Sequence, residues 1–245
     1  DRSGLVAEYA GQTGPKTNKR IDEALDGVLF IDEAYSLVAE SNEDAYGREA
    51  VQTLLKRMED DRQRLVVILA GYPEPMEALL RSNPGLSSRF NTKLNFEDYR
   101  PTELGRIFQV LCDKNHYRVP GPTQAKLLLG FRWLFEHRDE HFGNGRLVRN
   151  TFEHAIRRLA NRISGIVPIT EELMTVIQPD DLELKGVPKD VYDQAANDKH
   201  KFRVTCEGCG GESSVTAEYL GRRVKCNSCG HRFTAAWGDP QDTTE

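Results

Sequence analysis

Val28-Leu29-Phe30-Ile31-Asp32-Glu33-Ala34 is an apolar run that ends in two adjacent carboxylates. A short continuous apolar run reads as a buried strand. In a parallel sheet the carboxyl end of such a strand is where ligands bind, so Asp32 and Glu33 stand where a ligand would meet them. Residues 64–70 (RLVVILA) read as a second buried strand, and residues 92–96 as a third, shorter one. Helical spacing lies between them. Residues 18–25 look helical, residues 48–60 repeat Val51, Leu54, Leu55 and Met58 on one face, and residues 75–81 precede the turn Asn83-Pro84-Gly85. Strands alternating with helices imply an α/β fold with a parallel sheet.

After Pro101 the pattern is wholly helical. Residues 102–115 and 123–137 are amphipathic, and residues 147–163 follow Gly143-Asn144-Gly145-Arg146. Residues 186–200 are polar, poorly periodic, and read as a linker. His137 and His141 are one helical turn apart, without a nearby third ligand, and read as surface histidines.

The chain has 245 residues, 38% of them hydrophobic, and a net charge of −5. That length holds one medium core plus a small module. The acidic balance argues against a general nucleic-acid binder. No apolar run is long enough to span a membrane, and Asp1-Arg2-Ser3-Gly4 does not open a signal peptide. A cytoplasmic location is expected. Cys112 stands alone in a helical stretch and reads as a small buried hydrophobe. The other four cysteines come in pairs, which in such a chain bind metal more often than they form disulfides.

The strand ending in Asp32-Glu33 has the form of a Walker B element. The phosphate-cradling G-x-x-x-x-G-K-[ST] occurs nowhere in the chain. Other stretches surround the strand in order: LVAEYAGQTGPKT at residues 5–17, GVLFIDEAYSL at 27–37, AGYPEPM at 70–76, SNPGLSSRF at 82–90 and GNGRLVRN at 143–150. This series resembles the AAA+ ATPases of the red-type Rubisco activase and stage V sporulation protein K group, over residues 1 to about 180. The resemblance implies a partial AAA+ parallel sheet with a helical lid subdomain. It implies ATP and magnesium as ligands, a homo-oligomer (a hexamer in the full-length parent), and a protein substrate pulled through its pore.

Residue by residue, the resemblance implies that Asp32 holds magnesium through water and Glu33 prepares the attacking water. Arg89 matches the arginine finger that reaches a neighbouring subunit's phosphate, a role that suits a permanently charged planar fork. Arg146 matches the sensor-2 arginine of the lid, with Arg149 as a second candidate. Cations near a helix N-terminus oppose the macrodipole, which points to a bound anion. Tyr9-Ala10-Gly11 matches the aromatic-glycine pore loop, and Tyr72 is the candidate for sensor 1. In the family's sheet the Walker A strand lies between the strands at 64–70 and 92–96, so its absence leaves interior edges unpaired. The chain is expected to be the C-terminal part of a longer protein or a truncated gene product.

Cys206, Cys209, Cys226 and Cys229 form CxxC-x16-CxxC, each pair followed by glycine. Two thiolates two residues apart chelate one ion from a tight knuckle, and four close a tetrahedral zinc site. The pattern resembles small zinc-ribbon domains. A segment this short needs its metal to fold, so chelation is expected to unfold residues 201–233 and spare the helices. Arg222, Arg223, Lys225, His231 and Arg232 make it locally basic. They read as a solvated face, with nucleic-acid contact as the alternative.

The chain is therefore expected to be α/β: an AAA+ core at 1–100, a helical lid at 101–185, a linker at 186–200, a zinc ribbon at 201–236 and a tail at 237–245. Its expected function is ATP-driven remodelling of a protein substrate. The competing reading is a non-hydrolysing zinc-ribbon interaction or nucleic-acid-binding module on a truncated AAA+ scaffold.

Overall fold

A computed structural model describes residues 1–38, 44–140, 142–195 and 200–241. It divides into two compact units, Asp1–Asn95 and Phe96–Glu245.

The first unit contains α1 (Arg2–Leu5), α2 (Thr13–Glu23), β1 (Gly27–Ile31), α3 (Ala45–Asp60), β2 (Leu65–Leu69), α4 (Pro73–Ser82) and α5 (Pro84–Arg89). The β-branched runs of β1 and β2 pair in parallel, in register from Gly27–Leu65 to Ile31–Leu69. The α3 helix starts at Asp44, whose side chain accepts the Gly47 N–H at 2.9 Å. Its apolar stripe (Val51, Leu54 and Leu55) is buried with Ile21, Ile31 and Leu65. Residues 28–34 and 64–70 read as strands buried on both faces, but the sheet alternates. Val28, Phe30, Val66 and Ile68 are 44–58% exposed. Among the described residues the helices cover one face only, so the other stays open.

Residues 92–96 do not form the expected third strand. Among the described residues they have no ladder partner, and Leu94 is 77% and Phe96 93% exposed. An isolated strand has nowhere to place its N–H and C=O groups except water.

The second unit begins with α6 (Pro101–Lys114), α7 (Gly121–Glu136) and α8 (Asn144–Ile163). Their facing stripes bury Leu104, Phe108, Leu128, Phe131, Val148 and Phe152. Phe108 meets Phe152 edge-on, with ring centroids 5.8 Å apart. The end of α8 is clamped by Arg162, which donates from Nε and Nη2 to the two carboxylate oxygens of Asp181 at 2.8 and 2.9 Å. The short α9 (Glu171–Thr175) precedes this turn.

The expected linker is not one in its described part. Residues Lys189–Ala195 form α10, held on α7 through Tyr192. The Tyr192 hydroxyl accepts the Leu184 N–H at 3.3 Å, and the Lys126 ammonium lies over its ring at 4.8 Å. One apolar anchor outweighs the polar character of the remaining residues. His141 and residues 196–199 and 242–245 lie outside the described residues.

The cysteine-bearing segment contains β3 (Lys201–Thr205), β4 (Glu212–Thr216), β5 (Arg223–Lys225), β6 (Arg232–Thr234) and β7 (Asp239–Pro240). β4, β3 and β7 form one antiparallel sheet, and β5 and β6 form a hairpin. The segment does not stand apart from the helices. Phe202, Val204, Leu220, Phe233 and Trp237 belong to the same apolar core as Leu104, Phe108 and Leu128. The helices are carved to receive it. A Cβ on Gly121 would lie 2.2 Å from the Ala217 carbonyl oxygen. Residues 237–241 are likewise no loose tail, because Trp237 is buried and β7 pairs with β3.

Candidate functional sites

β1 delivers Asp32 and Glu33, both exposed, at its carboxyl end. The ladder continues past the strand: the Ala70 N–H donates to the Ile31 carbonyl and the Ala34 N–H to the Ala70 carbonyl, both at 2.9 Å. Between these anchors the backbone turns sharply. Glu33 sits in the left-handed region at φ 49 and ψ 45, and the Asp32 carboxylate accepts its N–H at 3.0 Å. A residue with a side chain pays about 1–2 kcal/mol for that conformation. Such strain gathers at functional sites.

Tyr72 lies at the same end of the sheet. Its ring centroid is 6.5 Å from that of Tyr35. The Tyr35 hydroxyl is pushed above its ordinary range by loss of water, then by the charge of Glu33, by Tyr72 and by Asp32. Two carboxylates and two phenols thus converge. Gly71 makes room for them, because a Cβ there would stand 2.8 Å from Tyr35 Cδ1. Tyr35 was not apparent from the sequence pattern. Its signal is an aromatic two residues beyond the acidic pair, in the 3-10 turn Ala34–Leu37.

Arg89 ends α5 and donates from Nη2 to Glu59 at 3.4 Å. Such a long, exposed pair holds the guanidinium weakly. In the second unit, Arg146 and Arg149 lie in the first two turns of α8, exposed and without an ion pair among the described residues. Asn144 braces the start of that helix. Its Oδ1 accepts the Tyr99 N–H at 3.1 Å, and its Nδ2 donates to Asp98 at 2.9 Å. Two unpaired cations beside the positive end of a helix dipole form an anion-attracting corner.

Tyr9 is 67% exposed, at the tip of a turn whose Gly11 has φ 75. The base of that turn is fixed by Thr13 Oγ1, which accepts the Ala7 N–H at 3.1 Å, and by Lys16, which donates to the Val6 carbonyl at 2.9 Å.

The four paired cysteines gather into one cage, with all four sulfurs within 4.8 Å of one another. Two equivalent knuckles build it. The Gly210 N–H donates to the Cys206 carbonyl at 2.8 Å, and the Gly230 N–H to the Cys226 carbonyl at 3.0 Å. Both glycines have positive φ, 71 and 75, which closes each turn. The Cys206–Cys229 and Cys209–Cys226 sulfur separations are 3.8 and 3.7 Å. A tetrahedron with metal–sulfur bonds of about 2.3 Å has edges of about 3.8 Å. The cage therefore fits one tetrahedral ion and is far too wide for disulfides. The N–H groups of Cys229 and Ser228 bring the Cys226 thiol down to about 6. Cys112 lies apart, fully buried, its thiol pushed up to about 12 by burial and then by Asp113.

Residues 1–98 match the model of the ATPase family associated with various cellular activities (AAA). Residues 100–191 match the AAA lid domain. The chain is 42% identical over 183 residues to a protein CfxQ homolog of Guillardia theta, which covers 74% of this chain and 62% of that protein. It is 41% identical over 185 residues to the chloroplastic ribulose bisphosphate carboxylase/oxygenase activase of Cyanidioschyzon merolae, with the same two shares covered. It is 47% identical over 161 residues to the ESX-1 secretion system protein EccA1 of Mycolicibacterium smegmatis, covering 62% of this chain and 28% of that protein. The chain thus spans under two thirds of the length of these relatives. With a core and a lid matched in sequence, and the acidic pair at the carboxyl end of a parallel strand, the chain belongs to the AAA family and is similar to the CfxQ and activase proteins within it.

Proposed function

We propose that this chain forms the Walker B, arginine-finger and lid portion of an ATP-driven, ring-forming protein remodeller that works in the cytoplasm. The observation that carries the reading is the Asp32-Glu33 pair, held exposed at the sheet end by the strained turn at Glu33. Asp32 offers the hard carboxylate oxygen that suits magnesium or the water bound to it. That ion, when bound, neutralises charge on the phosphates. Glu33 orients and deprotonates the attacking water, and Tyr72 and Tyr35 set the polarity around it. Arg89 serves a neighbouring copy in a hexamer, for which its loose contact to Glu59 leaves it available. Arg146, with Arg149 beside it, reads the nucleotide from the lid. Tyr9, Ala10 and Gly11 grip a polypeptide in the pore, because an exposed aromatic on a glycine hinge contacts any sequence. The cysteine cage holds zinc through Cys206, Cys209, Cys226 and Cys229.

The test is ATP turnover by the chain extended with the reading frame upstream of Asp1, alongside the 245-residue chain, which lacks a phosphate loop and should not turn over. In the extended protein Glu33→Gln should retain ATP and hydrolyse it at least about 100-fold more slowly. Arg89→Ala should also lose hydrolysis, and subunits carrying it should regain turnover in rings mixed with Glu33→Gln subunits. Full turnover by Glu33→Gln would refute the assignment.

A further inference from the structure

The β5–β6 hairpin carries its positive charge on one face. Its register sets Lys225 directly opposite Arg232, and Arg223 opposite Thr234. Side chains alternate across a strand, so Arg223, Lys225 and Arg232 share one face while Val224 and Phe233 share the other. Burial follows that division. The three cations are exposed, Val224 is half-buried, and Phe233 belongs to the core. The hairpin turns its apolar area inward and presents charge outward.

Like charges directly opposite on an antiparallel pair destabilise it. The surroundings do not relieve this pair. Residues 221–234 contain four Lys or Arg and no Asp or Glu, in a chain whose net charge is −5. Arg223, Lys225 and Arg232 form no ion pair among the described residues: Glu212 pairs with Arg203, and none of Glu207, Glu218 and Asp239 pairs with the three. The cysteine cage does not use them either. Its sulfurs are met by main-chain N–H groups, with Gly211 donating to Cys209 Sγ at 3.4 Å and Ser228 and Cys229 donating to Cys226. Cations gathered on one face without a carboxylate raise the local concentration of anions.

Two features select the anion. The outer face has no apolar centre, whereas protein partners are anchored by buried apolar and aromatic contacts. A phosphate backbone asks only for charge. The second feature is size. Arg223 and Lys225 are two residues apart along β5, about 7 Å, and Arg232 lies one strand spacing away, about 5 Å. That footprint fits neighbouring phosphates of one strand better than the two walls of a major groove about 12 Å wide.

We propose that the outer face of the β5–β6 hairpin binds single-stranded nucleic acid through its phosphates, with Arg223, Lys225 and Arg232 as the contacts. Because they meet the backbone and no base, binding is indifferent to sequence and falls with salt. A bound strand also relieves the repulsion between Lys225 and Arg232, so it stabilises the hairpin that holds it. The site shares no residue with the ATP-hydrolysing assignments and is tested independently of them.

The experiment uses the full 245-residue chain and fluorescein-labelled oligouridine, oligothymidine, DNA duplex and polyglutamate, each about 20 units long. Anisotropy should rise saturably with either single strand, with half-saturation at about 1–100 μM in low salt. The logarithm of affinity should fall with the logarithm of salt at a slope of about −2, as three phosphate contacts on a single strand require. Arg223→Gln, Lys225→Gln and Arg232→Gln together should weaken binding about tenfold or more and flatten that slope. Their melting temperature should equal or exceed the parent's, because the like-charge pair is gone. Arg20→Gln, Arg62→Gln and Arg81→Gln together remove the same charge from the first unit and should leave affinity within about twofold. No saturation up to about 1 mM chain would overturn the proposal. So would equal affinity in the hairpin variant, tighter binding of the duplex than of either single strand, or polyglutamate bound as tightly as oligouridine.

Discussion

The indole of Trp237 fills the space that a side chain on Gly105 would need: a Cβ there would stand 2.1 Å from Cε3. Gly105→Ala should therefore destabilise the second unit by about 1–3 kcal/mol, although alanine is the better helix former. Gly145 is the opposite case, because its Cβ would meet nothing within 4 Å. Gly145→Ala should be neutral or stabilising by up to about 1 kcal/mol. Thermal unfolding followed by circular dichroism reads both, and equal melting temperatures for the two variants would contradict the packing.

The Arg162–Asp181 pair should behave as a buried clamp. The Asp181 side chain is 1% exposed, and it also accepts the Gln178 N–H at 2.8 Å. Asp181→Ala leaves a guanidinium and an N–H unmet, which should cost about 3 kcal/mol or more. Denaturant unfolding at low and high salt should give the same loss, since a shielded pair is little screened.

Cys112 should be inert. Burial, followed by the charge of Asp113, holds its thiol up at about 12. A raised folded value means the protonated form is the native one. Its contribution to stability is complete below the unfolded thiol range near pH 8.5 and is lost as pH rises through about 12. Iodoacetamide at pH 8 should label Cys112 in urea and leave it unlabelled in the native protein. Rapid native labelling would show that the helix packing opens.

One zinc per chain is expected, and Cys209→Ser should remove it while Cys112→Ser should not. The core shared by Phe202, Leu220, Phe233 and Trp237 with Leu104 and Phe108 changes what metal removal does. Chelation under reducing conditions should lower the melting temperature of the helices as well, in a single transition. A helical transition unchanged by chelation would mean the two parts are energetically separate.

Much of this was legible from pattern. The apolar runs around Ile31 and Val67 became strands, and the stripes through Leu54 and Phe108 became buried helix faces, because period and burial are local properties. The cysteine cage was legible for a different reason: CxxC spacing leaves few geometries open. Residues 92–96 have strand composition, but a ladder needs a neighbour that composition does not report. The Trp237–Gly105 contact joins residues remote in sequence through shape alone, and no periodic signal carries it. The α10 helix hangs on Tyr192, one residue in a polar stretch.

The shared seam also bears on inheritance. A ribbon with its own core could pass between genes as a cassette. This one is poorly suited to that, because the host helices lack side chains at two places where Trp237 and the Ala217 carbonyl now lie. Joined to a lid that carries alanine at 105 and 121, it would meet atoms 2.1 and 2.2 Å away and be destabilised at both. A recombination that moves the ribbon keeps its seat when those two glycines move with it, so the boundary of the unit runs through α6 and α7 rather than through the polar stretch before β3.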